Sequence, residues 1–119
     1  MSKTVLIADD SRFLRNLIKN ILFYEGYKLF IEASDGAYAV SLYKEKSPDF
    51  VLLDLTMPNL NGIDALKSII EFDPEAKVII CSAMGQQRFI FEALQSGAKD
   101  FIIKPNFNEL VPAIRKLFN

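Results

Sequence analysis

Asp9, Asp10, Asp54, Ser82 and Lys104 are the side chains whose types and settings suit chemistry. Each stands where a short apolar run gives out. Thr4–Ala8 runs into Asp9-Asp10, Phe50–Leu53 into Asp54, Ala76–Cys81 into Ser82, and Asp100–Ile103 into Lys104. The runs before Asp54 and Asp9, this short and apolar, read as strands buried on both faces inside a parallel sheet, and the other two read as further strands beside them. Parallel strands bring their carboxyl ends to one side, where open α/β sheets bind ligands. Three carboxylates gathered there repel one another and raise each other's pKa, so a positive charge must sit among them. The chain has no His, and hard carboxylate oxygens without His or Cys ligands favour a hard divalent cation. Magnesium fits best, because it takes one or two carboxylates, keeps waters and accepts a phosphate oxygen. Beside such a cation, the Asp54 carboxylate can attack a phosphoryl group, as aspartyl-phosphate enzymes do. Lys104 then neutralises charge on the transferring oxygens, and Ser82 Oγ donates a hydrogen bond to one of them.

The remaining residues supply the elements that must hold these side chains. Ser11 is a suitable N-cap for a helix whose apolar residues Phe13, Leu14, Leu17, Ile18, Ile21 and Leu22 recur at three and four. Gly26 stops it, and Tyr27–Ile31, interrupted by Lys28, reads as an edge strand. Asp35-Gly36 is a turn before a helix from Ala37 to Lys46, with Ala39, Val40 and Tyr43 inward. Pro48 ends that helix ahead of the Asp54 strand. Pro58-Asn59-Leu60-Asn61-Gly62 is loop chemistry. A helix carrying Ile63, Leu66, Ile69 and Ile70 inward follows, and Pro74 marks the next loop. A helix from Gln86 to Gln95 stops at Gly97, and a last helix turns Leu110, Ile114 and Leu117 inward, with Pro112 in its first turn. Strand and helix alternate five times, which calls for an α/β domain with helices on both faces of a parallel sheet. The most apolar strands, those ending at Asp10, Asp54 and Ser82, belong in the centre.

Bulk properties set the class. The 119 residues make one domain, half of them apolar and 24% charged. A net charge of −1 gives no general attraction to nucleic acid or to an anionic membrane. One cysteine forms no internal disulfide, which fits a reducing compartment. No leader-type run opens the chain and no run reaches the ~20 apolar residues of a membrane helix. The expectation is a free-standing cytoplasmic domain over residues 1–119, acting as a monomer.

The set Ala8-Asp9-Asp10, Asp54 with Met57-Pro58 and Gly62, Ser82-Ala83, and Lys104-Pro105 resembles the receiver domain of two-component response regulators. The likeness covers essentially the whole chain and is strongest to the single-domain chemotaxis type, which also shares the run Cys81–Gln87. The resemblance implies a flavodoxin-like doubly wound fold with sheet order 2-1-3-4-5. It makes Asp54 the phosphoacceptor. Magnesium is held by Asp10 and Asp54 through carboxylates, by Thr56 through its carbonyl, and by Asp9 through water. Ser82 and Lys104 contact the phosphoryl group, and Phe101 is the switch aromatic that turns inward after phosphorylation. The Lys104-Pro105 bond is often cis in that family. Implied partners are a histidine kinase as donor, the flagellar motor switch or another output protein as target, and a dedicated phosphatase. Catalysis is confined to the domain's own phosphorylation and dephosphorylation. Asn106 departs from the family pattern, and Phe rather than Tyr at 101 leaves a steric signal only.

Plainer readings stand beside these. Asp9-Asp10 alone is a helix-capping pair, Lys104 alone a surface lysine before a turn, and Ser82 alone a polar strand terminus. Cys81 reads as a small core residue. A static Phe101 and a switching Phe101 leave the same sequence signature. In Phe89-Ile90-Phe91, one helix cannot bury three successive apolar residues. Phe91 and Leu94 suit the inner face, leaving Phe89 or Ile90 partly exposed; Ile90 is either an isolated apolar residue or part of the docking surface that the resemblance places on this helix. A haloacid-dehalogenase-type phosphohydrolase also uses a strand-end Asp with magnesium, but it needs a second acid two residues on, where this chain has Thr56. A pure interaction module would have no use for the intact acid set, and a flavodoxin would not place Asp9-Asp10 against a flavin phosphate. A receiver in a non-chemotaxis phosphorelay shares every feature above.

Overall fold

A computed structural model describes residues 3–119; Met1 and Ser2, which open the expected domain, lie outside the described residues. In chain order the elements are β1 (Thr4–Ala8), α1 (Arg12–Tyr24), β2 (Leu29–Ala33), α2 (Gly36–Lys46), β3 (Phe50–Leu53), α3 (Gly62–Phe72), β4 (Val78–Ser82), α4 (Gln87–Gln95), β5 (Asp100–Ile103), a 3-10 turn (Phe107–Glu109) and α5 (Leu110–Leu117). All strand pairs are parallel and the sheet order is β2-β1-β3-β4-β5, the flavodoxin-like order expected from the resemblance. The apolar strands β1, β3 and β4 are central and buried almost throughout, while the edge strand β2 is half exposed.

Strand side chains alternate between faces, so each central strand feeds two cores. Leu6, Ala8, Val51, Leu53, Val78 and Ile80 pack with α2, α3 and Ala93 of α4. Val5, Ile7, Phe50, Leu52, Ile79 and Cys81 pack with Ile18 and Leu22 of α1 and with Leu110, Ala113 and Ile114 of α5. Three helices start on side-chain caps: Ser11 accepts from Leu14 N–H, Asp35 from Tyr38 N–H and Asn61 from Asp64 N–H. Each satisfies a backbone donor that the first turn leaves free. Pro112 lies in the first turn of α5, where its missing N–H costs no helical bond. No helix among the described residues is long and apolar enough to cross a membrane.

Several details differ from the sequence reading. The second strand starts at Leu29, not Tyr27, because Tyr27 N–H closes the α1 terminus on the Leu22 carbonyl after Gly26 at φ +98°. The Tyr27 ring then packs edge-on against Phe50. The fourth strand starts at Val78, since Ala76 still belongs to a turn through its bond to the Asp73 carbonyl. Phe13 is 75% exposed. The stripe of Leu14, Leu17, Ile18, Ile21 and Leu22 is complete without it, and Phe13 sits about 100° round the helix. On α4, Phe91 and Leu94 are 66% and 46% exposed, and the residues turned inward are Phe89 and Ala93. Expecting the bulkier side chains inward gave the wrong phase: the fully buried Ala93 lets the helix lie close to the sheet, which rotates Phe91 and Leu94 out.

Candidate functional site

The carboxyl ends of β1, β3, β4 and β5 meet at one edge of the molecule. Asp9 and Asp54 leave β1 and β3 while still 2% and 6% exposed, whereas Asp10 is open to solvent. Carboxylate oxygens of all three lie within 4.8 Å of one another. Lys104, one residue past β5, reaches in between. Its Nζ is 2.5 Å from Asp9 Oδ2 and 3.4 Å from Asp54 Oδ1. Its own N–H donates to the Ser82 carbonyl, and the Lys104-Pro105 peptide bond is cis.

Three acids against one ammonium leave an excess of negative charge in a pocket that buries Asp9 and Asp54 and opens to water on the Asp10 side. Burial pushes the Asp54 carboxyl above its ordinary value; the Lys104 charge opposes that shift and the Asp9 charge adds to it. Burial alone would pull the Lys104 ammonium down, but its bond to Asp9 and the charges of Asp54 and Asp9 raise it above the usual lysine value. The donor set is hard oxygen with no nitrogen or sulfur ligand among the three, and it has room for further positive charge beyond Lys104. Such a set suits magnesium.

The other expected residues have distinct settings. Ser82 is buried, with Oγ accepting from Met84 N–H at 3.0 Å. Thr56 is exposed at the rim, with Oγ1 donating toward Met84 Sδ at 3.5 Å. A groove of about 300 Å³ opens beside it, walled by Leu55, Ile63, Met84 and Phe89 with Asp64 and Glu92 at the rim. Phe101 and Ile90 belong to β5 and α4 rather than to the acid pocket. Phe101 is half-buried against the α2–α3–α4 core, and Ile90 is half-buried. Gly62 lies against the back of the site: a Cβ there would be 2.0 Å from the Asp54 carbonyl oxygen.

Sequence reading missed Arg15. From the first turn of α1 it donates through Nη1 to the Asp9 carbonyl at 2.7 Å and through Nε to Glu32 at 2.9 Å. The signal was an arginine five residues past the second acid, and nothing in the helical stripe required a cation there.

Comparison with known proteins agrees with this geometry. The family model of the response regulator receiver domain matches residues 5–115. The chemotaxis protein CheY of Thermotoga maritima is 51% identical over 118 residues, covering 98% of each chain. CheY of Bacillus subtilis is 49% identical over 120 residues, covering both chains in full. Among solved structures, a chain of the CheX–CheY–BeF3–Mg2+ complex from Borrelia burgdorferi superposes with a TM-score of 0.94 at 38% identity, covering 98% of this chain and 90% of that one. The acid pair after β1, Asp54 after β3 and Lys104 after β5 thus stand on a fold these proteins share, and the chain belongs to the response regulator receiver domain family as a CheY-like member.

Proposed function

We propose that this receiver is a magnesium-dependent, phospho-accepting switch of chemotaxis. The observation that carries the reading is the buried Asp54 carboxylate, held 3.4 Å from the Lys104 ammonium within an acid cluster. An Asp54 oxygen attacks the phosphorus of a phosphohistidine on a partner kinase, since this chain has no His of its own. The P–N bond breaks, the imidazole leaves with the electron pair and takes up a proton, and the new P–O bond makes Asp54 an acyl phosphate. Lys104 offers its remaining donors to the phosphoryl oxygens. Ser82 Oγ turns its hydroxyl proton to another of them, and its movement makes room for Phe101. The face of α4 and β5 that includes Ile90 then changes and binds the target.

Asp9, Asp10, Asp54 and the Thr56 carbonyl are the groups that would hold magnesium. When bound, it supplies the positive charge that relieves carboxylate repulsion around the transferring oxygens. Water later hydrolyses the acyl phosphate, so the chain acts on its own Asp54 and turns over no external substrate. The relatives named chemotaxis protein CheY support chemotaxis as the pathway; on this reading the output partner is the flagellar motor switch and the setting is cytoplasmic. In the Borrelia structure CheY is bound by a second protein, CheX, and a partner of that sort would serve here as the dedicated phosphatase.

The test is acetyl phosphate plus magnesium, read by intact mass. Wild-type protein gains one phosphoryl group and Asp54→Asn gains none. Stoichiometric labelling of Asp54→Asn at another residue would remove Asp54 from its role.

A further inference from the structure

Every polar group of Asp9 is engaged. Its N–H donates to the Ala33 carbonyl at 3.0 Å, Oδ1 accepts from Ser11 N–H at 2.9 Å, and Oδ2 accepts from Lys104 Nζ. Its carbonyl accepts from Arg15 Nη1 at 2.7 Å. Asp10 differs: it is exposed, and among the described residues no hydrogen bond holds its carboxylate. With no such bond, the backbone ahead of Asp10 sets where its side chain starts and so how it reaches the cluster. The Asp9 carbonyl is part of the rigid peptide plane that joins Asp9 to Asp10. On the β2 side, which Asp9 faces, the last ladder bond runs from Asp9 N–H to the Ala33 carbonyl at 3.0 Å, and among the described residues no backbone N–H donates to the Asp9 carbonyl. Arg15 takes the place of such a donor. Its guanidinium is itself anchored, with Nε on Glu32 Oε1 at 2.9 Å, while Lys19 holds the other Glu32 oxygen at 2.8 Å. The Arg15 side chain is only 14% exposed, so its planar fork binds two fixed partners largely out of water.

We propose that Arg15 is a positioning residue for the cation pocket: through the Asp9 carbonyl it sets the Asp9–Asp10 peptide plane and so the direction of the Asp10 carboxylate. The inference rests on the reading of the acid cluster as a magnesium site. Groups that orient metal ligands from outside the coordination shell typically change metal affinity about 10–100-fold. Arg15→Met, which keeps the stem and removes the donors, should weaken magnesium binding within that range by isothermal titration calorimetry. Arg15→Lys, with one donor able to reach the carbonyl, should recover part of the loss. Phosphorylation from acetyl phosphate adds a second readout. In Arg15→Met the half-saturating magnesium concentration should rise, while the rate at saturating magnesium stays within a few-fold of wild type.

Lower urea stability in Arg15→Met with unchanged magnesium affinity would make Arg15 a structural brace only and overturn the proposal. If Arg15→Met does not fold, Glu32→Gln, which loosens the guanidinium anchor, carries the test: a severalfold loss of affinity supports the proposal and an unchanged affinity overturns it. Wild-type protein that binds no magnesium at all would sink the cation reading itself, a result distinct from a variant that binds as well as wild type.

Discussion

Replacing Lys104 by Met removes one charge and keeps most of the side-chain volume. It leaves Asp9 and Asp54, 2% and 6% exposed, facing each other and Asp10 with no ammonium between them. Breaking a buried pair by deleting one partner costs about 3–5 kcal/mol, because the remaining charge is uncompensated. The exposed Asp10 side admits water, so the lower end applies, about 3 kcal/mol. With a urea slope of about 1.5 kcal/mol per M for a domain of this size, the unfolding midpoint should fall by about 2 M at pH 8 in the absence of divalent cation.

The sign of the pH dependence follows from the same geometry. Burial already lifts the folded Asp54 carboxyl above its unfolded value, and Lys104 opposes that shift. Without Lys104 the folded value rises further. A carboxyl whose folded pKa lies above its unfolded one destabilises the fold when ionised, and the penalty disappears as pH falls below both values. The stability gap between wild type and Lys104→Met should therefore narrow toward pH 4. Magnesium should close part of it at pH 8, and should bind the variant more tightly than wild type because no ammonium competes for the acids. Equal stability of the two proteins at pH 8 without cation, or a gap of the same size at pH 4 and pH 8, would refute the electrostatic account of this pocket.

The remaining predictions concern the packing behind the site. Gly62→Ala would place a Cβ 2.0 Å from the Asp54 carbonyl oxygen and 2.5 Å from Leu55 Cα. Both neighbours are backbone, so a cost of about 1–3 kcal/mol and a melting temperature lower by several degrees are expected, with slower phosphorylation; unchanged melting would contradict the close approach. Burial raises the Cys81 thiol to about 12, so iodoacetamide at pH 8 should leave native protein unlabelled and label it readily in urea. Fast labelling of the native state would mean that Cys81 is not packed in the core between the central strand β4 and helices α1 and α5.

Much of this arrangement was legible because it rests on local signals of high contrast. The runs before Asp9, Asp54 and Ser82 are the buried central strands, the run before Lys104 is a partly buried edge strand, and parallel pairing brings their ends together. Ser11 announced α1, and β2 is an edge as expected, although Lys28, read as its interruption, lies just before the strand. What sequence hid was contact between distant backbone and side chain. Tyr27 looks like the start of a strand until the turn at Gly26 takes its N–H. The phase of α4 depends on how closely Ala93 approaches the sheet, so Phe91 and Leu94 could not be ranked against Phe89 by hydrophobicity. Arg15 was invisible for a related reason: its partner is a carbonyl, and a carbonyl leaves no trace in residue type.

Ser82 shows how far a single residue can drive the proposed switch. Its Oγ now accepts a neutral hydrogen bond from Met84 N–H, an interaction with a net worth of about 0.5–1.5 kcal/mol. A bond from its hydroxyl to a charged phosphoryl oxygen is worth about 1.5–3 kcal/mol. The difference, about 1–1.5 kcal/mol, biases the two states by about 5- to 13-fold, whereas passing from 1:99 to 99:1 takes about 5.5 kcal/mol. The balance has to come from other contacts that differ between the states, and the Lys104 ammonium is the charged group positioned to supply them. Its bond to Asp9 is already made, so it contributes only what the phosphoryl group adds beyond that bond. It follows that Lys104→Met, once phosphorylated, should bind the output partner hardly better than its unphosphorylated form, whereas Ser82→Ala should keep a reduced but measurable response. Full phosphate-dependent binding by Lys104→Met in a pull-down would show that the switch draws its energy from elsewhere in the domain.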